Sequence, residues 1–215
     1  AGALAVLGED GAGGAGMTPA GAMPASVTPP RGWVGTANHR TLPAGYAHAY
    51  STYFAASWRY RRMQELLDGT GVLSPADHWG FMRDVLNPLA RGVAPLMVAA
   101  FPTDPPLAPL ADELRRWDYR DDPDAAAPTI FQATWRAFAR LTIGDELGEE
   151  LTARVLENSY FWHERLVRLS ADPGNAWFDD VGTPARESRD DRLRAAGRAA
   201  AAELGELLGG APADW

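Results

Sequence analysis

The residues whose types could do chemistry are few. They are His39, His48, His78 and His163, the acidic pairs Asp179-Asp180 and Asp190-Asp191, and Asn38, which closes the stretch Arg31-Gly-Trp-Val-Gly-Thr-Ala-Asn38. The histidines are scattered along the chain. Trp162-His163-Glu164 holds two metal-binding residue types, but a metal site needs three or four converging ligands. An exposed helix face is the simpler reading of that triplet. The acidic pairs suggest calcium or a carboxylate dyad, yet they fall in a loop and near a helix start, where acids serve solubility and the helix dipole. No metal site and no cofactor are expected. By residue type alone, Asn38 reads as a loop asparagine bonded to its own backbone.

Self-sufficient catalytic motifs are absent: there is no Gly-x-Ser-x-Gly, no His-Glu-x-x-His and no P-loop. Gly11-Ala-Gly-Gly-Ala-Gly16 lacks the preceding strand, following helix and lysine of a phosphate-cradling loop, so it reads as linker. With no cysteine, disulfides, thiolate nucleophiles and cysteine-based zinc sites are excluded together. The net charge of −8 argues against nucleic acid as a partner, because phosphate binding needs a basic surface. All 20 basic residues are arginine. No run approaches the roughly 18 apolar residues of a membrane span, and the start of the chain has no complete signal peptide.

The elements that must position these residues follow from periodicity. Residues 1–30, rich in Gly, Ala and Pro, read as a loop or linker. Residues 31–38, with Trp33, Val34 and Thr36 after Pro29-Pro30, read as a strand, the one convincing strand in the chain. The region 45–215 reads as helical. One helix spans 54–68 and stops at Gly69 and Gly71. A second starts at Ser74-Pro75 and carries Trp79, Met82, Leu86, Leu89 and Val93, with Pro88 and Pro95 expected to kink or divide it. Further apolar stripes are Leu107/Leu110/Leu114/Trp117, Phe131/Trp135/Phe138, Leu147/Leu151/Val155 and Trp162/Leu166/Leu169. After a loop at 172–182, Thr183-Pro184 is expected to open a last helix, with Leu193, Ala196, Ala200, Leu204 and Leu207 on its face and Gly209-Gly210 as its stop.

The stretch from Pro29 to Gly69 carries more than periodicity. Pro30, Gly32, Trp33, Val34, Thr36, Ala37, Asn38 and Arg40, then Pro43 and Tyr46, then Arg59, Arg62, Met63, Glu65, Leu66 and Leu67 together resemble the penicillin acylase family of N-terminal nucleophile hydrolases. His39 departs from the family's usual second Asn. Looser resemblance continues at Leu114-Arg-Arg-Trp-Asp118, at Trp177-Phe-Asp-Asp180, and at Thr183 and Glu187.

The resemblance implies a mostly α fragment with one core strand, drawn from a four-layer αββα fold and completed by the remaining acylase chain segments. It implies hydrolysis of a small-molecule amide, such as a β-lactam or an acyl-homoserine lactone, and an extracellular or periplasmic home. In that family a serine at the first position of its chain attacks the amide, and its own α-amino group is the base. This sequence starts with Ala1 and contains no Ser-Asn start, so the nucleophile is expected upstream and the chain alone is expected to be inactive. Asn38 matches the oxyanion-hole asparagine, whose amide donates to the oxygen that becomes negative. Arg59 matches an arginine near the leaving group that can pair with a carboxylate; a solvated helix face is the competing reading. A helical binding or scaffold module, or an acylase homologue without activity, would give Asn38 no special role.

Overall fold

The computed structural model describes residues 18–48, 51, 54–69, 71–158 and 161–215. The chain separates into two units, residues 1–74 and 75–215. Gly11–Gly16 and the rest of 1–17 lie outside the described residues. Residues 18–30 hold one short 3-10 turn, Ala20–Ala22.

In the first unit, α1 (Trp58–Leu67) forms where the arginine-rich run is expected to be helical. It closes as Asp68 turns to extended backbone and Gly69 takes φ 78°. The expected strand at 31–38 does not form a ladder: among the described residues no strand is present. A strand is made by a neighbour that takes up its backbone groups, and no described segment offers one. The stretch instead lies along α1, held by its side chains.

The second unit is helical. Ser74-Pro75 does open a helix, α2 (Pro75–Met82), but it ends well before Pro88. Pro88 begins α3 (Pro88–Ala100) as its first residue, with Asn87 as N-cap accepting from the Ala90 N–H at 3.0 Å. The expected single stripe is thereby split. Leu89 and Val93 are buried, whereas Trp79 and Met82 are 60% and 78% exposed. Pro95 stays inside α3, on its exposed side, where solvent can satisfy the carbonyl freed one turn earlier. An isolated antiparallel bridge, Leu86 to Arg120, links the α3 approach to the segment after α4 (Ala108–Arg116).

Leu107, Leu110, Leu114 and Trp117 are all buried, as their spacing requires. So are Phe131, Trp135 and Phe138 on α5 (Ala126–Asn158). Gly148, at φ 71° and ψ 170°, breaks the course of α5 in a conformation that a Cβ disfavours. Past the break Leu151 is half exposed, so the 147/151/155 stripe covers less than its spacing promises. Then comes α6 (Phe161–Leu169).

The last helix, α7 (Arg189–Leu208), starts later than Thr183-Pro184 suggests. Residues 179–187 are held as a loop by side chains that compete with helical bonding. Thr183 Oγ1 donates to Glu187 at 2.8 Å, the Asp180 N–H donates to Glu187 Oε2, and the Glu187 N–H donates to Asp179 Oδ1. Ser188 and Asp191 then form a reciprocal capping box. Leu193, Ala196, Ala200 and Leu204 are buried against α5 and α3, while Leu207 is exposed. Each large side chain so covered stabilises by about 1.5–3 kcal/mol. No helix among the described residues is long and apolar enough to cross a membrane.

Candidate functional site

The site is built from residues 31–40 and the first turns of α1. Trp33 donates through Nε1 to Asp68 Oδ1 at 2.8 Å and lies against Tyr60, ring centroids 6.1 Å apart. Gly35 lies against the flexible tip of Met63: a Cβ there would meet Met63 Cε at 2.7 Å, a contact that side chain can relieve by a small shift. These contacts hold the 33–36 segment on α1 and bring Ala37 and Asn38 to its N-terminal end. The Ala55 N–H donates to Asn38 O at 2.7 Å, fixing the backbone just before the helix.

Asn38 is in the left-handed region, at φ 61°, and its residue is exposed. Asparagine tolerates this conformation better than most residues with a Cβ. Arg59, in the first turn of α1, donates through Nη2 to Ala37 O and to Asn38 Oδ1, both at 3.1 Å. The two residues singled out in the sequence, 21 positions apart, are therefore in contact. A guanidinium can only donate, so the Asn38 amide must turn its oxygen toward Arg59. Its NH₂ is left facing away, with both hydrogens available to an external acceptor.

His39 stacks on Tyr60, centroids 3.6 Å apart. Its Nδ1 accepts from the Ala37 N–H at 3.5 Å. Burial, and then the charge of Arg31, hold its pKa below the ordinary histidine value. Arg31 is itself fixed. It donates through Nε to Trp33 O at 2.9 Å and through Nη1 to the Tyr60 hydroxyl, and its guanidinium carbon sits 4.0 Å from the Trp33 ring centroid. Sequence reasoning misses this Arg31–Tyr60–His39 cluster; the one available signal is an aromatic beside Arg59 at the start of a helix.

The other candidates are accounted for by structure. His163 is not an exposed helix residue: its Nδ1 accepts from Trp135 Nε1 at 2.8 Å, and burial lowers its pKa to about 4. Asp180 and Asp145 face Arg192, and Asp191 serves the capping box. Asp190 pairs with Arg189. His48 lies edge-on to Tyr46, and His78 to Phe81. Among the described residues no group of three His, Cys, Asp or Glu side chains could hold a metal ion.

A family model described as penicillin amidase matches residues 1–215, the whole chain. The chain belongs to the penicillin amidase family. No curated protein matches the chain significantly. Within the Pro30–Leu67 block, Arg59 is the side chain that reaches Asn38.

Proposed function

We propose that this penicillin amidase family chain forms part of an amide hydrolase in which Asn38 donates to the oxyanion of the tetrahedral intermediate. The observation that carries this reading is the Arg59–Asn38 hydrogen bond, which turns the amide NH₂ outward. An oxyanion hole needs a donor already aimed where charge will develop, so that nothing has to reorganise during the reaction. Arg59 acts on the chemistry through Asn38. Contact with a carboxylate on the leaving group, the role its family match implies, falls to its remaining N–H groups.

The attacking serine is assigned to another segment of the enzyme, since no serine in this sequence is followed by Asn as the family's nucleophile is. Its hydroxyl would add to the carbonyl carbon while its own α-amine takes the proton. That proton would pass to the departing amine as the acyl-enzyme forms, and water would then release the acid. Residues 31–38 would gain strand partners from the enzyme's other segments within a four-layer αββα core. A β-lactam nucleus or a homoserine lactone would suit as the amine half of the substrate.

The test uses the assembled, processed acylase that contains this chain. Asn38→Gly should lower kcat strongly while leaving the melting temperature near its starting value. Normal turnover in that variant would exclude the oxyanion role.

A further inference from the structure

The second unit holds a cavity of about 530 Å³ among α5, α6 and the 3-10 turn Ala176–Phe178. Ile143 and Leu147 before the Gly148 break and Val155 after it face the same space, together with Trp162, Leu169 and Trp177. Leu147, Val155, Trp162 and Leu169 have the spacing of core residues, yet all four stay half-buried, and Trp177 is 40% exposed. Protein interiors are close-packed and leave few voids larger than a water molecule. An apolar concavity of this size lies instead within the range of small-molecule sites. Both indoles are held in advance. The Trp177 N–H donates to Asn175 Oδ1 at 3.2 Å, and the next residue, Phe178, is buried against Phe138. Trp162 stacks on His163, centroids 3.6 Å apart, and His163 is bonded to Trp135. The charged groups of the described lining are Arg165 and Arg168, with no carboxylate. Glu164 offsets Arg168 at 2.5 Å, whereas Arg165 has no ion pair among the described residues. In a chain of net charge −8, this rim is cationic. Packing of their stems over apolar surface explains where the two arginines lie; it does not fill the space beside the two indoles.

We propose that this cavity binds a small single-chain anionic amphiphile, with its chain against Ile143, Val155, Trp162 and Trp177 and its anion at Arg165. Removing an alkyl chain from water supplies the affinity. The indoles are already in place, so little ordering opposes it. Contact with the Arg165 guanidinium selects an anion over a neutral head of similar size. An extended peptide would bring backbone N–H and C=O groups that so apolar a lining cannot satisfy; an alkyl chain brings none. None of these residues belongs to the Asn38 cluster, so the site stands independently of the oxyanion reading.

The test is calorimetric titration of the full chain with octyl sulfate and with octan-1-ol, both kept well below micelle-forming concentrations. Both should bind at one site, octyl sulfate about threefold more tightly, as one exposed guanidinium allows, and added salt should weaken octyl sulfate alone. Arg165→Gln, at an exposed position, should remove that preference and leave octan-1-ol binding unchanged. Ile143→Trp fills the cavity and should cost both probes at least tenfold, with circular dichroism confirming that helix content is kept. If Ile143→Trp does not fold, Arg165→Gln alone decides. No binding of either probe, equal affinity for the two, a preference that survives Arg165→Gln, or undiminished binding in a well-folded Ile143→Trp variant would overturn the proposal. The same titration of the assembled acylase excludes a covering segment: if octyl sulfate binds the isolated chain and not the assembled enzyme, another part of the protein fills the cavity and the amphiphile site falls.

Discussion

Arg59 Nη2 bonds both the carbonyl of Ala37 and the side-chain oxygen of Asn38, each at 3.1 Å. One guanidinium thus fixes the backbone before Asn38 and the orientation of its amide. In the assembled enzyme, Asn38→Gly is expected to lower kcat by about 10²–10³, the usual cost of one oxyanion donor. Glycine is the right probe because Asn38 sits at φ 61°, where alanine adds backbone strain unrelated to catalysis. Arg59→Ala should lower kcat by about tenfold by freeing the amide to turn. Arg59→Lys should recover part of that loss. Steady-state kinetics alongside melting curves check all three.

His163 predicts an acid-sensitive second unit. Its folded pKa, about 4, lies below the ordinary value near 6.5. The unfolded chain therefore binds a proton at higher pH than the folded one does. The stabilisation is complete above about pH 6.5 and is lost as pH falls toward 4. Partial exposure limits the effect to about 1–2 kcal/mol. His163→Gln keeps an acceptor for Trp135 without titrating. The difference in melting temperature between parent and variant should change between these pH values and be flat above them; a flat difference throughout would remove His163 as the cause.

Gly197 marks the closest approach of α7 to the α3 end. A Cβ there would meet the Phe101 ring at 2.9 Å and Leu107 at 3.0 Å. Gly197→Ala should destabilise by about 1–3 kcal/mol through overpacking, despite better helix propensity. Gly92→Ala in α3 meets nothing within 4 Å and should stabilise by roughly 0.5–1 kcal/mol. Chemical denaturation of the two variants should show opposite signs.

Arg192 is almost wholly buried. It donates through Nε to Phe178 O at 2.8 Å and pairs with Asp180 at 3.1 Å and with Asp145 at 3.8 Å. Asp145 Oδ2 in turn accepts from the Val181 N–H. Arg192→Met should cost about 1–3 kcal/mol, because it leaves the carbonyl of Phe178 and the half-buried Asp145 without their charged partner. Adding Asp145→Leu should recover a measurable part of the loss. Additive losses in the double variant would show that the two side chains are not coupled.

The helical core is legible in the sequence because it depends on period alone. Phe131, Trp135 and Phe138, and the leucines at 107, 110 and 114, are buried as spacing requires. Periodicity misplaces Trp79 and Met82 because their stripe runs on through Pro88, which in fact begins a new helix. At α7, Thr183-Pro184 is the stronger local start signal, yet the helix opens where Ser188 and Asp191 stand at capping-box spacing. Residues 31–38 have the composition of a strand, but composition cannot supply a neighbour. At the site, Asn38 and Arg59 are visible through motif resemblance. Their contact is not, since it depends on how Trp33, bonded to Asp68, seats the segment along α1. The neighbours of His163 in sequence suggest an exposed face, whereas its partner is Trp135 on another helix.

The break at Gly148 has a consequence in time. An unbroken helix through Ala126–Asn158 would run about 50 Å at 1.5 Å per residue and carry α6 away from Trp135. Turned at Gly148, the chain brings Trp162 to within 6.2 Å of Trp135, centroid to centroid, and closes the Trp135–His163 bond over only 28 residues. Such a short loop is cheap to close. During synthesis this contact can form before α7 has emerged, so the aromatic half of the core is a template onto which the last helix docks.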